Sequence, residues 1–236
     1  MLCQFTVKNY KSIRDEATFD MQAAAISEHE DRIIKDQDGE MYLPVSAIYG
    51  PNGGGKSNVL AALHTLVAKI LRPLYATEDN EDKVLLQKRI IVEPFAFSDS
   101  KNEPTKFELY FRTKSAEYRY ILHVKRDVVI YESLDRVKLE TGRRSALYTR
   151  DDKGIVLKGA FAKLKVSDDL SKTLTLLSYL GIAYKENVVV KDVLNWFEFG
   201  VDFLNYGNPI QELRMAISTS EAVSYTHLRA HETSAH

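Results

Sequence analysis

The residues most able to do chemistry are Gly50, Pro51, Asn52, Gly53, Gly54, Gly55, Lys56, Ser57 and Asn58. Their order, GPNGGGKSN, satisfies GxxxxGK(S/T), the spacing of a phosphate-binding loop. A polyphosphate needs main chain that curls closely around it. Gly53, Gly54 and Gly55 have no Cβ, so they allow the curl and let N–H groups turn inward. Lys56 supplies a positive charge within reach of the β- and γ-phosphates, which makes it the candidate catalytic residue. The Ser57 hydroxyl is the candidate Mg²⁺ ligand. A helix opening directly after the loop adds its N-terminal dipole and unpaired N–H groups.

Such a loop has to leave a strand and enter a helix. Residues 43–49 (LPVSAIY) form a short apolar run ending at Gly50, which reads as a buried central strand. Beyond the loop, Val59, Leu63, Leu66 and Ile70 recur at helical spacing, with Leu60, Val67 and Leu71 beside them. Arg72-Pro73 predicts the end of that helix, because the residue before proline disfavours the α region.

Upstream, Cys3, Phe5 and Val7 alternate with polar residues, as in a half-buried strand. Residues 9–14 (NYKSIR) read as a polar turn, and Ala17, Phe19 and Met21 as the second strand of a hairpin. Residues 26–40 are mostly charged, with a turn at Asp38-Gly39. Residues 77–83 (TEDNEDK) read as a solvated acidic connector. From Ile90 to about Leu157 the period is two, which predicts an antiparallel meander. From Ser167 the pattern becomes helical. Ser167-Asp168 would cap a helix carrying Leu170, Leu174, Leu177 and Leu180 and ending at Gly181. A second helix is expected from about Val188 to Leu204, burying Leu194, Phe197 and Val201.

The chain has 236 residues, 44% of them hydrophobic, enough for one large α/β domain or two small ones. Its formal net charge of -1 gives no electrostatic case for nucleic acid as the main partner. The single cysteine, Cys3, cannot form an internal disulfide, so a reducing, cytoplasmic setting is expected. No apolar run is long enough for a membrane span. Three of the six histidines (His227, His231 and His236) fall in the last ten residues. The string VSYTHLRAHET resembles a translated sequencing-adaptor read-through, so residues 223–236 are set apart as a non-native tail. Residues 1–222 are then expected to be the N-terminal portion of a protein continuing beyond Ala222.

An enzyme that hydrolyses a nucleotide on such a loop usually needs an acid on a second strand. No run of four apolar residues here ends in Asp-Glu or Asp-Asp. Residues 128–132 (VVIYE) come closest but continue into Ser133. Neither an LSGGQ-like segment nor an NKxD motif is present.

The combination of Phe5-x-Val7-x-Asn9-Tyr10-Lys11-Ser12-Ile13 with GPNGGGKSN resembles the ABC-type ATPase heads of the RecF, SMC and OLD group. Asn52 and Asn58 are typical of that group. Glu93-Pro94-Phe95, Pro104-Thr105-Lys106-Phe107-Glu108-Leu109, Tyr118-Arg119-Tyr120 and Glu132-Ser133-Leu134 are similar to a prokaryotic family of AAA-type ATP-binding proteins. The resemblance covers most of residues 1–205. It implies an α/β P-loop NTPase fold, specifically the first lobe of an ABC-type head with an antiparallel β meander and a helical C-terminal segment. It implies ATP and Mg²⁺ as ligands, and Lys11 or Ser12 close to the nucleotide. It also implies a head-to-head homodimer that sandwiches ATP, and an effector partner such as a nuclease or toxin in antiphage defence. The chain departs from the pattern by lacking the signature segment, the Walker B Asp-Glu and the switch histidine.

Other candidates carry blander readings. Arg136, Lys138, Arg143, Arg144 and Arg150 suit a solvated hairpin loop better than a nucleic-acid contact. Tyr118 and Tyr120 suit sheet packing, Trp196-Phe197 helix packing, and His64 a structural place on its helix. Glu132 could act as a base, but an acid at a strand end reads as solvated. Three rivals to an ATPase stay open: a sensor that binds ATP without turnover, a P-loop kinase for a small molecule, and a scaffold with a vestigial loop.

Overall fold

The computed structural model describes residues 1–24, 29–36, 38–76, 90–97, 99–167 and 169–203. The connector expected at 77–83, the cap at Asp168, Leu204 and the tail at 223–236 lie outside them. The chain divides into two units, Met1–Gly200 and Val201–His236. The elements below all belong to the first.

Alternating sequence becomes sheet. The strands are β1 (Leu2–Lys8), β2 (Ala17–Asp20), β5 (Thr105–Arg112), β6 (Ala116–Lys125), β7 (Val128–Lys138), β8 (Arg144–Asp151) and β9 (Gly154–Leu157). They form one seven-stranded sheet in the order β2-β1-β5-β6-β7-β8-β9, antiparallel at every pairing. The meander is therefore as expected. What alternation could not specify is that the N-terminal hairpin extends the same sheet, with Phe5 opposite Leu109 and Val7 opposite Phe107. A second, two-stranded sheet of β3 (Ile34–Lys35) and β4 (Met41–Tyr42) flanks the turn at Gly39, where φ is +85°.

One sheet face is apolar: Phe5, Val7, Phe107, Leu109, Phe111, Tyr118, Tyr120 and Leu122 are all buried. The helices α1 (Lys56–Tyr75), α2 (Leu176–Ala183) and α3 (Val188–Phe199) carry the matching apolar residues. Phe111 stacks on Trp196 with centroids 4.4 Å apart, which places the Trp196-Phe197 pair in ordinary core packing. Tyr118 and Tyr120 likewise point into the core, each hydroxyl donating to a carboxylate, Asp192 Oδ2 at 2.8 Å and Glu132 Oε1 at 3.0 Å.

Several expected boundaries move, each for a tertiary reason. α1 runs through Pro73 to Tyr75. Proline removes one ladder bond in the last turn, but Leu74 packs on Gly181 and the Tyr75 hydroxyl donates to Glu198 Oε1 at 2.9 Å. α2 begins at Leu176, later than the leucine spacing predicts. The carbonyls that a helix over 170–174 would need are taken elsewhere. Arg150 Nη1 donates to Leu174 O at 2.7 Å and Nη2 to Ser171 O at 3.1 Å. Val129 N takes Lys172 O, and Lys69 Nζ takes Thr173 O at 3.2 Å. Gly181 does not end the helix. It lies inside α2, where an added Cβ would stand 2.5 Å from Leu194 Cδ1 and 2.7 Å from Leu74 Cδ2, so α1 and α3 both press on it. α3 ends at Phe199, short of the expected Leu204, and its buried residues are Val190, Val193, Trp196 and Phe197.

The basic stretch is not a solvated loop. Arg136 and Lys138 lie in β7 and Arg144 and Arg150 in β8, leaving only a short turn around Gly142. The segment 43–49 is the largest departure. It forms no strand and pairs with none among the described residues, and Val45 and Tyr49 are 77% and 90% exposed. An apolar run signals a strand, yet only a neighbour that takes its N–H and C=O groups makes it one.

Candidate functional site

The loop 50–55 opens directly into α1. Gly53 and Gly55 have φ of +79° and +85°, values that L side chains rarely adopt. Gly55 is held on a second count, since a Cβ there would lie 3.0 Å from Ser12 Oγ. Gly54 N donates to Pro51 O at 3.1 Å, closing the curl. Gly55 is the N-cap of α1, and no side chain caps that helix end. The 20-residue helix therefore presents its positive end to whatever sits in the loop.

Lys56 folds back over the loop. Its Nζ donates to Gly50 O and Pro51 O, both at 2.7 Å, and its stem lies over Gly50. Pro51, Asn52 and Ser57 are exposed at the mouth. This donor set suits a polyphosphate: the crowded glycines leave room that a side chain would fill, the helix end is uncapped, and an ammonium lies across the opening. Ser57 Oγ is the one hydroxyl on the first turn of α1. Among the described residues no group of three His, Cys, Asp or Glu could hold a metal, so Ser57 is the candidate Mg²⁺ ligand at this loop.

The structure brings the N-terminal turn to this loop. Asn58 Nδ2 donates to Ser12 Oγ at 2.7 Å. The turn itself is tight: Tyr10 and Ile13 exchange main-chain bonds, and Asn9 and Lys11 have φ of +58° and +47°. Its position is set by Tyr10, whose ring is buried and whose hydroxyl meets Thr65 Oγ1 at 2.9 Å on α1. Lys11 is exposed, its Nζ 5.4 Å from the Tyr10 ring centroid. Of the residues singled out in sequence, Gly50 to Asn58 and Ser12 thus converge, with Lys11 beside them.

Glu132 does not join them. It is fully buried, contrary to the solvated strand-end reading. Its carboxylate accepts from Leu176 N at 2.6 Å, Leu177 N at 3.0 Å and the hydroxyls of Tyr120 and Tyr148. Burial pushes the Glu132 carboxyl above its ordinary range, opposed by the bonds from Leu176 N, Leu177 N and the Tyr148 hydroxyl and by the Arg150 charge. The helix it caps is tied to α1 at Ile70, where Ser178 Oγ donates to the Ile70 carbonyl at 2.7 Å. Ile70 lies roughly 20 Å along the helix from Lys56 at 1.5 Å per residue. Glu132 is thus a buried cap rather than a base at the loop. His64 is exposed on α1.

Asn9 entered the sequence analysis only as the start of the polar turn and as part of the N-terminal motif, with no role of its own. The signal was present: asparagine is one of the few residues that accepts a left-handed conformation, and it opens a polar turn.

Residues 45–204, well over half of the chain, match the family model described as "AAA domain, putative AbiEii toxin, Type IV TA system". The match takes in the loop, α1, β5 to β9, α2 and α3, and leaves β1, β2 and the turn between them outside. No curated protein matches the chain. No helix among the described residues is long and apolar enough to cross a membrane.

Proposed function

The chain belongs to this AAA-domain family of P-loop ATPases, which is related to the ABC and RecF types, and from that premise we propose that it binds ATP with Mg²⁺ at residues 50–58 and hydrolyses it. One observation carries the reading: a triple-glycine curl, left-handed at Gly53 and Gly55, that runs into the uncapped end of α1 beneath Lys56. Main-chain amides of the loop and helix end would hold the phosphate oxygens. Lys56 would exchange its two loop carbonyls for them, and Ser57 would hold Mg²⁺, which when bound offsets negative charge on the phosphates. Ser12, and Lys11 beside it, would line the opposite rim. Asn58 anchors Ser12 there.

The wider reading is that ATP turnover switches head-to-head dimerisation of an ABC-type head. That switch would gate a toxin or nuclease effector in a toxin–antitoxin or antiphage setting. The family description supports the toxin–antitoxin part of it. On this reading residues 1–222 are the first lobe of the head.

Calorimetric titration with Mg-ATP tests the site. Lys56→Ala is expected to weaken binding at least tenfold, about 1.4 kcal/mol or more. Unchanged affinity in Lys56→Ala would refute it. A single-turnover assay with bound ATP then separates an ATPase, which releases ADP, from a sensor, which holds ATP intact.

A further inference from the structure

We propose that Asn9 is a positioning residue for the nucleotide site, holding Ser12 at the rim of the phosphate loop by bolting its turn to Glu93, Phe95, Ser100, Glu103 and Thr105. The proposal rests on the reading that residues 50–58 bind Mg-ATP. None of the hydrogen bonds of Asn9 goes to the loop itself. It is 1% exposed and its side-chain amide is used on both sides. Nδ2 donates to Ser100 O at 2.8 Å and to Glu103 O at 3.0 Å, and Oδ1 accepts from Phe95 N at 3.0 Å. Its main-chain carbonyl accepts from Thr105 Oγ1, the first residue of β5. Two residues on, Lys11 N donates to Glu93 O at 2.9 Å.

The main chain here is bent in a way that needs such support. Asn9 and Lys11 are both left-handed, a conformation that persists in a non-glycine residue when surrounding contacts over-determine it. The turn they define ends on Ser12. Ser12 Oγ has little latitude, because it accepts from Asn58 Nδ2 and lies where a Cβ on Gly55 would stand only 3.0 Å away. Release of Asn9 would let the turn drift from Gly55, so Asn9 would act on the nucleotide only through Ser12. A residue that merely supported the fold would act on stability whether or not Ser12 carried its hydroxyl.

Asn9→Gly removes the amide while keeping the left-handed conformation accessible. Asn9→Asp keeps the acceptor for Phe95 N but cannot donate to the two carbonyls. Circular dichroism and a thermal melt report folding, and Mg-ATP titration reports the site. Asn9→Gly is expected to fold and to bind Mg-ATP about tenfold more weakly. In a Ser12→Ala background the same change is expected to shift affinity less than twofold, the non-additivity of residues that act in series. A tenfold loss that persists in Ser12→Ala overturns the proposal, as does a folded Asn9→Gly that binds like the wild type. Failure of both Asn9→Gly and Asn9→Asp to fold also overturns it, since the amide would then be purely structural. Wild-type protein that takes up no Mg-ATP refutes the site reading itself and this proposal with it. Wild-type binding that Lys56→Ala abolishes but Asn9→Gly spares refutes this proposal alone.

Discussion

At the residue scale, chemistry depends on which positions tolerate a Cβ. Gly55 does not, for two separable reasons: its φ of +85° and the 3.0 Å approach of Ser12 Oγ to the place a Cβ would occupy. Gly55→Ala is therefore expected to cost about 1–2 kcal/mol of stability from the left-handed strain alone. It should also weaken Mg-ATP binding more than tenfold, because relief of the contact moves Ser12 or the loop. Urea unfolding and calorimetry on the same preparation check the two effects. Lys56 shows a related economy. Its ammonium already makes two short bonds to loop carbonyls, so the loop holds its lysine in place before any phosphate arrives.

At the element scale, helices are held by side chains from the sheet. Glu132 of β7 receives the first N–H groups of α2, two donors that a helix leaves without intrahelical partners. Glu132→Gln keeps the shape but sets an amide N–H₂ among four donors. It is expected to destabilise the fold by about 2–3 kcal/mol in urea unfolding. β6 offers a pH test on the other sheet face. His123 lies between Lys106 and Tyr131, and burial with the Lys106 charge lowers its pKa to about 4. A base whose folded pKa lies below its ordinary value of 6.5 leaves its full stabilisation in place above pH 6.5. That stabilisation drains away as the pH falls toward 4, because only the unfolded chain takes up the proton. Stability is expected to drop by about 1–2 kcal/mol between pH 7 and pH 5. His123→Gln should flatten that slope in denaturant titrations at the two pH values.

At the scale of the unit Met1–Gly200, Arg112 joins parts distant in sequence. Its guanidinium meets Asp36 at 3.1 Å, Asp38 at 2.7 Å and Glu117 at 2.7 Å, and its carbonyl takes the N-terminal ammonium at 2.6 Å. The Arg112 bond holds the Asp38 carboxyl below its ordinary range. Arg112→Met removes the cation that three partly buried acids share and should cost about 2–4 kcal/mol, less than a fully buried ion pair because water still reaches the acids. Arg112→Lys should recover only part of this, since an ammonium cannot reproduce the two-sided fork. Chemical denaturation of the three proteins gives the comparison.

The phosphate loop, the alternation of β5 to β8 and the apolar stripe of α1 were legible in the sequence because each depends on local rules: glycine where φ is positive, period two for a strand and 3.6 for a helix. Tertiary partners decided what local rules leave open. Arg150, Lys69 and Val129 took the carbonyls that would have started α2 early. Leu74 and Tyr75 carried α1 past Pro73. Glu132, read as a solvated end, became the buried cap of a helix more than forty residues away. The run 43–49 has a strand's composition and no neighbouring strand among the described residues. Composition reports how much a segment gains from burial; only the assembled chain determines which groups are there to receive its hydrogen bonds.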